Sequence, residues 1–311
     1  MTKRNVASWP KPLEVVFLTN FSDPCFRTIP AIAQMSDDIA LNLTVVHAYD
    51  EKRNQRAQAE TSVHSFFPEA DRYGGTRRLA MAGTPLDVLK RVAQCQPIDL
   101  VVCPASDLMG LPRPGHQSLR ARILRELGVP VWTIGRNIDP ARVGKAVRNV
   151  ACWVDFEMGE VPQLTFAAEY AVKLNARLHL FYRMQEINEG LILPMIEERP
   201  LHPDGVRQFV QSKLGETALE PVIHVTSSGS RSAQAALARA HDVDLFFTNV
   251  SAWGAGPLVA SGFRGIDRFT CPAICVGRRT KVQPWKLEPG PAFRKWDAGT
   301  LEEMQPALQL R

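Results

Sequence analysis

The residues with the clearest capacity for chemistry stand where apolar runs end. Asp155 follows the apolar run Val150–Val154, and its carboxylate accepts hydrogen bonds from the N–H and O–H groups of a small ligand. Further on, Ser261-Gly262 offers a hydroxyl and backbone N–H groups to an anion, with Gly254, Gly256 and Gly265 adding flexibility around it. Asn20 ends an earlier apolar run, Leu13–Thr19, and carries an amide in place of a carboxylate. The remaining candidates have plainer readings. Thr226-Ser-Ser-Gly-Ser-Arg-Ser232 reads as the cap of a helix starting near Ala233. Arg120, Arg122 and Arg125 flank an apolar stripe and read as a solvated helix face, not a nucleic-acid patch. His47, between strand residues, reads as structural. The 7 histidines show no spacing such as H-E-x-x-H, and neither G-x-S-x-G nor G-x4-G-K-[ST] occurs. Cys271-Pro-Ala-Ile-Cys275 reads as packing at a strand start, not as a redox pair.

The elements that would position these groups alternate. The apolar run at 13–19 is followed by a helical stretch in which Ile29, Ile32, Ala33 and Ile39 recur near the helical period. Leu41–His47 is a second strand, 51–72 helix and loop, and Arg78–Ala82 a weak third strand. Pro85 opens a helix with Leu86, Leu89, Val92 and Ala93 on one face. Ile98–Cys103 has the continuous apolar character of a strand covered on both faces. A Gly/Pro loop over 109–115, a stripe of Leu119, Ile123, Leu124 and Leu127, and a strand at 130–134 complete the unit. Alternation of this kind predicts a doubly wound, mostly parallel sheet.

The order then repeats. Val15, Asn20 and Leu43 match Val150, Asp155 and Leu178 at an offset of 135. Ile98-Asp99-Leu100 matches Val243-Asp244-Leu245, and Val129-Pro130-Val131 matches Cys271-Pro272-Ala273. The drift in offset places the insertions in loops. The expected organisation is an extension at 1–12, a domain at 13–136, a linker at 137–147, a second domain at 148–280 and a tail at 281–311. Each repeat ends in an apolar strand that needs a partner at its edge, so the last strands of the two halves are expected to meet. Residues 185–203, with three prolines and an apolar Leu191–Ile196 run, fit no repeated element and read as a mobile lid or a protein-contact surface.

Composition bounds the setting. The chain has 311 residues, 45% hydrophobic and 22% charged, enough for two ordinary globular domains. A net charge of +5 is a mild bias toward anionic ligands. No run reaches the roughly 18 apolar residues of a membrane span, and the first ten residues lack the apolar core of a secretory signal. Six cysteines without disulfide-scaffold spacing suit a reducing cytoplasm.

The ordered fragments resemble the universal stress protein family in tandem form. Thr19-Asn-Phe-Ser-Asp23 is similar to its V-x-x-D-x-S turn, and Leu43-Thr-Val-Val-His47 to its L-x-L-L-H-V strand. Gly83-Thr-Pro followed by Ile98-Asp-Leu-Val-Val resembles its G-x-P and D-L-I-V, and Val129-Pro-Val and Cys271-Pro-Ala its C-P-V. The resemblance implies two doubly wound, five-stranded α/β units of the adenine nucleotide alpha hydrolase-like type. It also implies a cytoplasmic stress-response role, dimer-like pairing of the halves within the chain or of two chains, and in some members ATP or another adenine nucleotide.

Nucleotide-binding members use an acid after the first strand and G-x2-G-x9-G-[ST] after the fourth. Here the first-half positions fall on Asn20, Pro104, Asp107, Gln117 and Ser118. Proline removes an N–H and Asp107 repels phosphate, so this loop is compromised; Gly110, Arg113, Gly115 and His116 offer at best a shifted version. The second half keeps Asp155 beside Val154, with Asn249, Ala252, Gly262 and Phe263 at the motif positions. The expected ligand site is therefore Val154, Asp155, Asn249, Gly254, Gly256, Ser261 and Gly262, holding an adenine nucleotide without catalysis. The alternatives are a slow ATP hydrolase, another enzyme using Asp155, or a ligand-free scaffold whose crevice Trp253 or Phe263 fills.

Overall fold

The computed structural model describes residues 12–53, 56–105, 118–154, 162–183, 203–214, 220–250, 263 and 265–277. The first half runs β1 (Leu13–Thr19), α1 (Asp23–Asp38), β2 (Leu41–Tyr49), α2 (Arg56–Ser65), β3 (Arg77–Ala82), α3 (Pro85–Cys95), β4 (Leu100–Val102), α4 (Leu119–Glu126) and β5 (Val131–Thr133). The second runs β6 (Asn149–Val154), α5 (Pro162–Leu174), β7 (Arg177–Arg183), α6 (Pro203–Leu214), β8 (Val222–Thr226), α7 (Arg231–Ala240), β9 (Leu245–Asn249) and β10 (Ala273–Val276). Segments 1–11, 184–202 and 278–311, and with them nearly all of the expected 185–203 contact surface, lie outside the described residues.

All strands lie in one ten-stranded sheet, ordered β3-β2-β1-β4-β5-β10-β9-β6-β7-β8. The two five-stranded arrays expected from the sequence are thus continuous and not separate. Every pairing within a half is parallel, whereas β5 and β10 pair antiparallel, Thr133 opposite Ala273 and Trp132 opposite Ile274. Each last strand thereby covers the other's open edge. Helices cover both faces. Val15, Phe17, Val150, Cys152 and Phe247 meet α1, α2, α5 and α6, while Val16, Val101, Ala151 and Phe246 meet α3, α4 and α7. Burial on both faces explains the unbroken apolar strands such as Leu13–Thr19, all seven residues of which are buried.

The same devices recur in both halves. Asp99 N donates to Glu14 O at 2.8 Å, and the Asp99 carboxylate accepts from Glu14 N at 3.0 Å. Asp244 N donates to Asn149 O at 2.9 Å, and its carboxylate accepts from Arg148 N and Asn149 N, both at 2.9 Å. Each aspartate thus binds the first central strand of its half to the fourth. Thr84, Ser118 and Ser230 cap α3, α4 and α7 by accepting from Asp87 N, Ala121 N and Ala233 N.

The linker is docked along the junction. Asn137 N donates to Asp267 O and Asp139 N to Thr270 O, and Arg142 reaches Val243 O and the Asp242 carboxylate. Gly144 has φ +80, and a Cβ there would lie 2.9 Å from Pro30 Cβ, so glycine lets this segment pass against α1. Arg120, expected on a solvated face, is 8% exposed: it donates to Thr133 Oγ1 at 3.0 Å and lies 4.9 Å from the Phe263 ring centroid. It ties α4 of the first half to the second half across the β5–β10 junction.

Candidate functional site

In an open parallel sheet a ligand crevice forms at the carboxyl ends of the strands where chain order reverses. Two such points exist here, between β1 and β4 and between β6 and β9. A separate groove where α1 and α5 meet the junction, lined by Met35, Trp132, Arg142 and Tyr170, also takes in Asp244 and Leu245 and so lies at the amino ends of the strands. It is not part of either crevice.

At the first crevice the side chains that follow β1 bond to one another. Asn20 Oδ1 accepts from Ser22 N at 3.2 Å, Ser22 Oγ at 2.6 Å and Cys25 Sγ at 3.2 Å. This is an amide bridging the turn into α1, with no acceptor capacity left over. Phe21, at φ +60, lies tilted against His47 with 4.3 Å between centroids and meets Phe66 at 5.5 Å. His47 Nδ1 lies 3.0 Å from Thr19 O, a structural role as its sequence context predicts. Cys103, just beyond β4, is buried, and burial pushes its thiol up to about 12. Ser118 serves as the α4 cap, whereas Asp107, Gly110, Arg113, Gly115, His116 and Gln117 lie outside the described residues.

The second crevice presents a different inventory. Val154 ends β6 buried beside Tyr182 of β7. Gln163, in the first turn of α5 and fully buried, donates through Nε2 to Trp153 O at 3.3 Å. That bond fixes the amide orientation and leaves Oε1 as the other end, which has no hydrogen-bond partner among the described residues. Asn249, 7% exposed at the carboxyl end of β9, likewise has an Oδ1 without a partner among the described residues. The β6–β9 register places Cys152 beside Phe247, so the following residues bring Asn249 level with Val154 and one step from Trp153. Buried amide oxygens without donors are uncommon and costly, about 1–3 kcal/mol each. Two such oxygens thus belong to residues near the carboxyl ends of β6 and β9.

Arginine lines the same end of the sheet. Arg231 donates to Asn249 O at 2.9 Å, to Gln234 Oε1 at 2.6 Å and to Thr248 Oγ1. Gly265 makes room for it: a Cβ there would fall 2.2 Å from Arg231 Cγ. The hydroxyl-rich loop before α7 is the predicted cap, with Ser230 Oγ accepting from Ala233 N at 3.2 Å. Phe263 is buried in the core layer shared with α4, beneath Arg120. Of the sequence-predicted site, Val154 and Asn249 come together, while Asp155, Gly254, Gly256, Ser261 and Gly262 lie outside the described residues, as does Trp253.

Sequence reasoning missed Gln163, which belongs to no motif. It also missed a second assembly: His179, His224 and His241 converge on the second half although 45 and 17 residues separate them in turn. No local spacing announces it, because the β7–β8 pairing and the end of α7 create it.

No protein-family model matches the chain. No curated protein matches it either. Solved structures do. A universal stress protein from Archaeoglobus fulgidus DSM 4304 aligns at TM-score 0.64 and 14% identity, over 85% of this chain and 98% of its own. A provisionally assigned universal stress protein from Pseudomonas aeruginosa UCBPP-PA14 aligns at TM-score 0.54 and 14% identity, over 86% and 94%. A protein of unknown function from Pseudomonas aeruginosa PAO1 aligns at TM-score 0.53 and 13% identity, over 86% and 94%. At such identities the likeness is one of architecture, and it is sufficient to state that this chain has the α/β fold of the universal stress proteins.

Proposed function

We propose that the chain is a tandem universal stress protein whose second-half crevice holds an adenine nucleotide and whose role in stress resistance is to sense or relay that ligand. The observation that carries this reading is the pair of buried, unpartnered oxygens, Gln163 Oε1 and Asn249 Oδ1. They accept hydrogen bonds and cannot donate, which suits the exocyclic amine of adenine and the hydroxyls of ribose. Asp155 follows Val154 directly and adds a carboxylate acceptor in the same stretch of chain. Arg231, bound to the β9 end, contributes positive potential toward phosphate.

The proposed use is non-catalytic, and the sequence carries neither G-x-S-x-G nor G-x4-G-K-[ST]. A cytoplasmic setting fits six unpaired cysteines, five of them buried. Among the described residues no helix is long and apolar enough to cross a membrane.

The test is mass spectrometry of the small molecules released when the purified protein is denatured, for wild type and Gln163→Leu. The proposal expects a near-stoichiometric adenine nucleotide from wild type and much less from the variant. Equal amounts from both, or none from wild type after incubation with ATP, would overturn it. Release of only the diphosphate after loading with ATP would convert the reading to slow hydrolysis.

A further inference from the structure

We propose that His179, His224 and His241 form a three-imidazole site for a divalent transition-metal ion of the zinc class, separate from the nucleotide crevice. His179 lies on β7 and His224 on β8, the edge strand, while His241 is the residue that ends α7. One ligand atom from each ring lies within 4.8 Å of the others. Tetrahedral zinc with bonds of about 2.0–2.1 Å needs nitrogens roughly 3.3 Å apart. His179 Nδ1 and His224 Nε2 are 3.0 Å apart. The rings are gathered as well: centroids are 5.2 Å apart for His179 and His224 and 4.0 Å for His224 and His241.

The hydrogen bonds around His179 fix which nitrogen points inward. Asn149 Nδ2 donates to Asp242 O at 3.2 Å, which turns Asn149 Oδ1 toward His179 Nε2, 3.4 Å away. An amide oxygen only accepts, so Nε2 carries the proton and Nδ1 is the bare nitrogen facing His224. Metal-bound imidazoles are oriented in this way by an acceptor on their second nitrogen. The carbonyl end of α7 beside His241 favours a cation, and the edge position of β8 gives solvent access for a water as fourth ligand.

The location separates this site from the crevice. His179 is the third residue of β7 and Val222, its partner, the first of β8, so the cluster sits toward the amino ends of these strands. His179 faces the α7 side with Phe181, while Leu178 and Leu180 face the other layer. The first half supplies an internal control. Its corresponding positions are Thr44, Leu79 and Gln96, and Gln96 Nε2 simply donates to Thr44 Oγ1 at 3.2 Å. The fold therefore does not require imidazoles there.

The experiment uses full-length protein stripped with a chelator and dialysed. Titration with Co2+ should give one ion per chain with the visible bands of a four-coordinate site, bleached by Zn2+. Calorimetry with Zn2+ should show at least about tenfold weaker binding for His241→Ala and for His224→Ala, and no change for His64→Ala on α2. Zn2+ should raise the thermal midpoint of wild type and leave the double variant, His224→Ala with His241→Ala, unmoved. Circular dichroism of the metal-free variants confirms that the fold persists; His241, at a helix end, tolerates the change even if His224 does not. No binding by wild type, or equal binding by wild type and the double variant, would overturn the proposal and leave the three rings as packing.

Discussion

The two halves share a fold and a set of joints, and their differences at the crevice and on the α3/α7 face show where to look for function. Asp99 and Asp244 make corresponding bonds to the first strand of each half, so the scaffold is the same. At the crevice, Asn20 is saturated by Ser22 and Cys25, while Gln163 and Asn249 each keep an unpartnered buried oxygen. On the α3/α7 face, a Thr44–Gln96 hydrogen bond in one half corresponds to three histidines in the other. A scaffold copied twice exposes its departures, because packing alone is already satisfied by the plainer copy.

The largest expected effect breaks the premise that the halves are joined. Ile274 is fully buried opposite Trp132 at the junction. Ile274→Asp buries an unpaired charge there and should cost more than about 4 kcal/mol. Denaturant unfolding should show both halves losing structure in one transition at lower denaturant. Survival of the first half with unchanged midpoint would show that the halves are energetically independent.

Next come the paired aspartates. Asp244→Ala removes a carboxylate that accepts from two backbone N–H groups, those of Arg148 and Asn149, and Asp99→Ala one that accepts from the Glu14 N–H. At about 1.5–3 kcal/mol for each charged hydrogen bond, Asp244→Ala should destabilise more. Equal losses in urea melts would show that the second bond adds nothing.

Gln163→Met carries a smaller effect of opposite sign. It replaces an amide with an unpaired buried oxygen by an apolar chain of similar length, so the ligand-free protein should gain about 1 kcal/mol. The same change loses the Trp153 bond, which limits the gain. A loss greater than about 2 kcal/mol would mean that Oε1 is satisfied after all. Smallest is Gln96→Ala, which removes the Thr44 bond and should cost about 0.5–1.5 kcal/mol, seen as a shift in thermal midpoint.

The sequence makes the scaffold legible because strands buried on both faces must be apolar throughout. Leu13–Thr19, Val150–Val154 and Leu245–Phe247 stand out for that reason, and their offsets reveal the repeat. Asn20 and Asn249 are likewise visible, since they end such strands. The rest depends on distance in the chain. Gln163 matters only because α5 returns its side chain to Trp153 O, and Arg120 only because α4 faces the junction. His179 and His224 meet through a parallel pairing whose register no local pattern encodes.

The central claim, that the second crevice is the ligand site and the first is not, is tested most directly by calorimetric titration with ATP. Wild type, Asn20→Ala and Asp155→Ala are compared after removal of bound small molecules. The expected result is one site per chain, bound equally by wild type and Asn20→Ala and about ten- to a hundredfold more weakly by Asp155→Ala. Two sites per chain, or equal weakening by Asn20→Ala and Asp155→Ala, would contradict it.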